Sequence, residues 1–137
     1  MDSLRLVAKL ESLDGFRSFV FPKAEGNERL KSILPDLDLV LEEVLTNIVY
    51  YAYPSGQGDI ELECGIVNEG ELLIRIKDWG VPFNPLEKGP PDLTLDISER
   101  EIGGLGIFLV RQLAREVNYK RENEANVLTL LFTGRED

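Results

Sequence analysis

The sequence predicts an α/β two-layer sandwich: a mixed, mainly antiparallel sheet covered on one face by helices. Three observations carry this. Several short segments alternate apolar and polar residues, longer ones space their apolar residues helically, and 137 residues leave room for one core only. In chain order the segments read strand, helix, helix, strand, strand, long loop, helix, strand, strand.

Leu4, Leu6, Ala8 and Leu10 alternate with Arg5, Val7 and Lys9, the pattern of a strand with one buried face. Glu11 to Ala24 follows as a short helix that turns Leu13, Phe16, Phe19 and Val20 inward, with Pro22 near its end. From Asp36 to Ala52 the residues Leu37, Leu41, Val44, Leu45, Ile48, Val49 and Ala52 keep helical spacing. Asp36 or Ser32 is available as N-cap, and Pro54 stops the run.

Ile60, Leu62, Cys64 and Ile66 then alternate with acidic residues, and the turn Asn68-Glu69-Gly70 leads to Leu72, Ile74 and Ile76, so two antiparallel strands follow. Residues 81–102 hold four prolines among charged and small residues and read as a long loop of the kind that serves as a lid. Gly104 to Glu116 returns to helix, with Leu105, Phe108, Leu109, Leu113 and Val117 inward. Tyr119–Glu122 and Val127–Phe132, joined through Asn123-Glu124-Ala125-Asn126, close the chain as a hairpin.

Composition excludes several functions. A formal charge of −10, from 25 acidic and 15 basic residues, argues against a nucleic-acid partner, which needs clustered Lys and Arg. It suits a basic protein partner or solubility. The single cysteine, Cys64, reads as a small buried residue and allows no internal disulfide, which fits a reducing compartment. No targeting segment and no membrane-length apolar run is apparent, so a cytoplasmic location is expected. Histidine is absent, which removes Ser-His-Asp and Cys-His catalysis, so any base here is a carboxylate.

Three constellations remain. Glu43 and Asn47 lie roughly 40° apart around a helix axis, on one face. An amide oxygen is a hard ligand suited to Mg²⁺, and a carboxylate one turn earlier can accept the proton of an attacking hydroxyl. Taken alone, the pair reads first as a solvated helix face, and the later motifs reverse that order. Glu42, about 100° away, is assigned to solvent.

Asp78 leaves a strand just before Trp79-Gly80; its carboxylate can accept an adenine amino hydrogen, and Gly80 lets a planar base approach the backbone. Asp-X-Gly is also an ordinary turn. Gly103, Gly104 and Gly106 stand where the loop becomes a helix, a place where backbone amides and the helix N-terminus can meet phosphate; a hinge is the plain alternative. Arg100 is either a bidentate phosphate contact or a surface residue between Glu99 and Glu101. Trp79 and Phe83 read as packing residues or as a cover for a base.

Glu43-Val-Leu-Thr-Asn47, Asp78-Trp-Gly80-Val-Pro-Phe83 and Gly103-Gly-Leu-Gly106-Ile-Phe-Leu-Val resemble the N, G1 and G2 boxes of the ATPase superfamily that includes DNA gyrase, the ninety-kilodalton chaperone, histidine kinases and mismatch-repair ATPases. Among its members the short chain most resembles anti-sigma regulatory factors, which are serine/threonine kinases. The resemblance implies a Bergerat-type sandwich over residues 1–137, a single histidine-kinase-like ATP-binding domain with a lid at about 81–102. It implies ATP and Mg²⁺ as cofactors, with Glu43 as catalytic base and Asn47 on magnesium. Asp78 and Gly80 would meet adenine, and Gly104 and Gly106 the phosphates.

The implied partners are a sigma factor and the antagonist protein whose serine or threonine is phosphorylated; related regulators often work as dimers, so a homodimer is also in view. The family's small pair after the Asn is replaced here by Ile48-Val49-Tyr50-Tyr51. The competing expectations are an ATP-dependent interaction module without transfer and, last, a histidine-kinase catalytic domain acting in trans.

Overall fold

A computed structural model describes residues 1–84 and 104–134. The elements are β1 (Asp2–Val7), α1 (Leu13–Glu25), α2 (Leu34–Tyr51), β2 (Asp59–Asn68), β3 (Glu71–Asp78), α3 (Gly104–Leu113), β4 (Glu116–Glu122) and β5 (Ala125–Thr133), with 3₁₀ turns at Leu10–Ser12 and Leu30–Ile33. The strands form one sheet in the order β1-β2-β3-β5-β4. All four pairings are antiparallel, so the described sheet has no parallel pair to make it mixed.

Strand alternation divides the sheet into two faces. Leu62, Ile76 and Leu128 align across β2, β3 and β5, as do Cys64, Ile74 and Leu130; these side chains are buried with Phe16, Val20, Leu37, Leu41 and Leu45 from the helices. The opposite face carries Arg5, Glu61 and Lys77 along one row, a polar surface that needs no cover. The helices therefore sit on one side of the sheet.

Several boundaries differ from the expected ones, each for a local reason. The first strand ends at Val7 rather than Leu10, because Lys9 N–H turns back to Val7 O at 2.9 Å and Leu10 is exposed. The first helix starts as a 3₁₀ turn and becomes α-helical at Leu13; it then runs through Pro22 to Glu25. Neither Asp36 nor Ser32 caps α2. The 3₁₀ turn flows directly into it, with Ile33 at the N-cap and Pro35 in the first turn, where a missing N–H costs nothing.

Among the described side chains of the third helix Val110 is buried and Phe108, Leu109 and Leu113 are half-buried; Ala114, just beyond the helix, is buried, and Val117 belongs to β4. The helix stops at Leu113, and Arg115 N–H already donates to Leu131 O at 2.8 Å. Asn126 lies inside β5, and the closing turn is only Asn123-Glu124, both at positive φ (51° and 65°), as a two-residue type I′ hairpin requires. The expected lid is described only as far as Asn84; the rest lies outside the described residues.

Candidate functional site

Asp78 and Asn47 come together. Asp78 is the last residue of β3 and Asn47 lies near the end of α2, and both line one cavity with Val44, Ile48, Tyr51 and Phe83. They are 5% and 8% exposed, among few buried polar side chains in an apolar surround. Burial of such groups is costly unless each is paired.

Asp78 is paired on one oxygen. Its Oδ1 accepts from Gly80 N–H and from Asn126 Nδ2, both at 2.9 Å, while Oδ2 takes no hydrogen bond from the described residues. Burial raises the Asp78 carboxyl above the ordinary range; the Asn126 and Gly80 hydrogen bonds and the Arg121 charge oppose that rise. One acceptor oxygen is thus left for a donor brought from outside.

The Asn47 amide is not satisfied by the protein. Its Nδ2 is buried without a hydrogen-bond partner, the sole such side-chain atom among the described residues. An orphan of this kind costs about 1–3 kcal/mol, which a bound polar ligand would offset. Among the described residues no three acidic or thiol side chains cluster as a metal cage, so a cation here would take most of its ligands from phosphate and water, as Mg²⁺ does. The orphan Nδ2 is a donor and calls for an acceptor such as a phosphate or water oxygen, while the Asn47 amide oxygen is the atom that could take a cation.

Glu43 lies one turn before Asn47, half-buried, and is not in the cavity lining. Burial raises its carboxyl, and the neighbouring Glu42 charge adds to the rise. Glu42 is exposed and points toward Arg17 of α1 at 3.8 Å, the solvent side expected of it. Gly80 has a structural reason to be glycine. A Cβ there would fall 2.1 Å from the carbonyl oxygen of Ala52, at the end of α2, and Val81 N–H donates to that same oxygen at 2.9 Å.

Gly104 and Gly106 open α3; Gly103 and Arg100 lie outside the described residues. Phe83 lines the cavity, whereas Trp79 is on the other face of the sheet, half-buried, under the Arg5 guanidinium at 4.2 Å and the Lys77 ammonium at 5.2 Å. Trp79 is therefore neither core nor cover for a base.

Sequence reasoning missed Asn126, Tyr53 and Arg121. Asn126 bonds Asp78 directly, and Arg121 Nη1 donates to Gly80 O at 2.8 Å. The Tyr53 hydroxyl accepts from Trp79 N–H at 2.8 Å and donates to Asp59 O at 2.6 Å, so it props the turn from behind. A signal for Asn126 was present: it is the polar member of the inward row Asn126, Leu128, Leu130, Phe132. For Tyr53 and Arg121 the partners in the turn are the backbone atoms of Trp79 and Gly80, distant in sequence, which no local pattern marks.

A family model described as the histidine kinase-like ATPase domain matches residues 6–132. The serine-protein kinase RsbW of Bacillus thuringiensis (strain Al Hakam) is 30% identical over 107 residues, covering 75% of this chain and 66% of that one. RsbW of Bacillus mycoides (strain KBAB4) is 29% identical with the same coverage; the chain thus spans just under two thirds of the length of these relatives. The fold is similar to that of Acinetobacter baumannii histidine kinase AdeS, with a TM-score of 0.55 at 11% identity over 99% of this chain and 70% of that one. The buried pair Asn47 and Asp78 and a family match across nearly the whole chain agree: this protein belongs to the histidine kinase-like ATPase domain family.

Proposed function

We propose that this protein binds Mg²⁺-ATP between α2 and the sheet and transfers phosphate to a serine or threonine of an antagonist protein, within a switch that sequesters a sigma factor in the cytoplasm. The observation that carries the nucleotide part is the burial of Asn47 and Asp78 in one cavity, where Asn47 Nδ2 has no partner and Asp78 uses only Oδ1 toward the described residues. The similarity to serine-protein kinases supports the transfer, and the resemblance to anti-sigma factors supports the partners.

Bound Mg²⁺-ATP supplies the phosphoryl group and the cation that neutralises its charge. Asp78 Oδ2 accepts the amino hydrogen of adenine, and the apolar walls from Ile76, Leu128 and Phe83 exclude water around the base. Asn47 would hold the cation through its amide oxygen. Gly104 and Gly106, with Gly103 and Arg100 before them, form the phosphate end, where the amides at the start of α3 favour an anion. Glu43, made more basic by burial, takes the proton of the attacking hydroxyl, and the segment at about 81–102 is the lid.

A second reading, an ATP-dependent interaction module without transfer, draws on the position of Glu43 outside the cavity lining. Labelled ATP incubated with the protein and candidate antagonists separates the two: phosphate on a partner serine or threonine supports transfer. ATP binding with no labelled product from any antagonist that forms a complex leaves the module.

A further inference from the structure

Asn126 stands opposite Asp78 in the β3–β5 register, is 6% exposed, and uses both ends of its amide. Its Nδ2 donates to Asp78 Oδ1 at 2.9 Å and to Val81 O at 2.8 Å. Its Oδ1 accepts from the Tyr119 hydroxyl at 2.6 Å and from Phe83 N–H at 3.2 Å. Two of these partners have a fixed polarity, because a backbone carbonyl only accepts and a backbone N–H only donates. A half-turn of the amide would set oxygen against the Val81 oxygen and N–H against the Phe83 N–H, so the orientation is settled by the main chain.

Given that orientation, an N–H always faces the Asp78 carboxylate. We infer that Asn126 is the positioning residue that sets base selectivity: by directing its N–H at Asp78 it keeps that carboxylate an acceptor toward the ligand, so the site takes a 6-amino purine and rejects a 6-oxo purine. A neutral Asp78 would instead carry an O–H able to donate to a 6-oxo group, and the discrimination would fade. The inference rests on the nucleotide reading above and adds to it the group that holds the reading carboxylate in its charge state. The same amide ties the Val81 and Phe83 backbone to the base-reading end, so both are held by one side chain.

The test uses the full chain, with Mg²⁺-ADP and Mg²⁺-GDP affinities measured by calorimetry from about pH 5.5 to about pH 8.5, below the ordinary range of tyrosine and far below that of arginine. Among the described residues, the charged or titratable groups near Asp78 are Arg121 and Tyr119 on β4, Tyr53 after α2, and Tyr51 in the cavity wall.

In Asn126→Asp a carboxylate oxygen replaces the N–H, so two carboxylates meet and share a proton only at the acidic end. The preference for ADP over GDP should therefore fall about tenfold or more below the parent's toward the acidic end, where the pair holds a proton, and recover toward the alkaline end, where Asp78 is ionised; the parent's preference should change less than about threefold. Asn126→Leu has nothing to titrate. It should bind ADP about tenfold or more weakly at every pH, with the preference over GDP reduced to match.

Circular dichroism matching the parent's defines the usable pH interval. Asn126→Asp keeps the side-chain shape and both bonds to Oδ1, so it carries the test even if Asn126→Leu unfolds. Folded variants with the parent's affinity, preference and pH profile would overturn the inference alone. A parent that binds ADP and GDP equally would overturn the nucleotide reading as well.

Discussion

Asp78→Asn separates binding from folding. The variant retains an oxygen to accept from Gly80 N–H and Asn126 Nδ2, the two bonds that shape the turn, and places an NH₂ where Oδ2 faced the cavity. A hydrogen bond to a charged group is worth about 1.5–3 kcal/mol, and about 1.4 kcal/mol is tenfold in affinity, so Kd for ATP should rise about 10- to 150-fold. Stability should move the other way. Because burial raises the folded-state pKa of Asp78, its protonation stabilises the fold below the unfolded-state pKa, and that contribution is lost as pH rises through the folded-state value. At neutral pH the parent therefore holds a buried charge that the amide lacks, so the variant should unfold at equal or higher urea, with any advantage shrinking in acid. Calorimetry with Mg²⁺-ATP and urea titrations at two pH values check both halves. A folded variant that binds ATP within about threefold of the parent would refute the reasoning, since the energy assigned to the carboxylate would be absent.

Glu43→Gln should leave ATP affinity within about threefold while abolishing measurable transfer to an antagonist, because only the proton acceptor is lost; an unchanged transfer rate removes Glu43 from that role. Gly80→Ala drives a methyl to 2.1 Å from the Ala52 oxygen, so it should cost about 1–3 kcal/mol in a urea melt. Tyr53→Phe removes the acceptor for Trp79 N–H and a donor to Asp59 O, a loss of about 1–3 kcal/mol, and the single tryptophan reports the loosened turn by fluorescence. Glu124→Gly relieves a side chain held at φ 65° and should raise the melting temperature by the few degrees that about 1 kcal/mol gives.

Local chemistry made much of this protein legible. Period-two runs at Ile60–Ile66 and Leu72–Ile76, and helical spacing from Leu37 to Ala52, record which side of each segment meets the core, and the folded elements follow them. The candidate pairs Glu43 with Asn47 and Asp78 with Gly80 were legible for the same reason, since the members of each lie within about one turn of chain. Tertiary structure alone decided how those pieces meet. It set Asn126 opposite Asp78 through the β3–β5 register, turned Trp79 to the outer face, and brought the Ala52 carbonyl against Gly80. Each of these is a contact between segments far apart in the chain, fixed by strand pairing and helix packing, and no pattern within a single segment encodes such a distance.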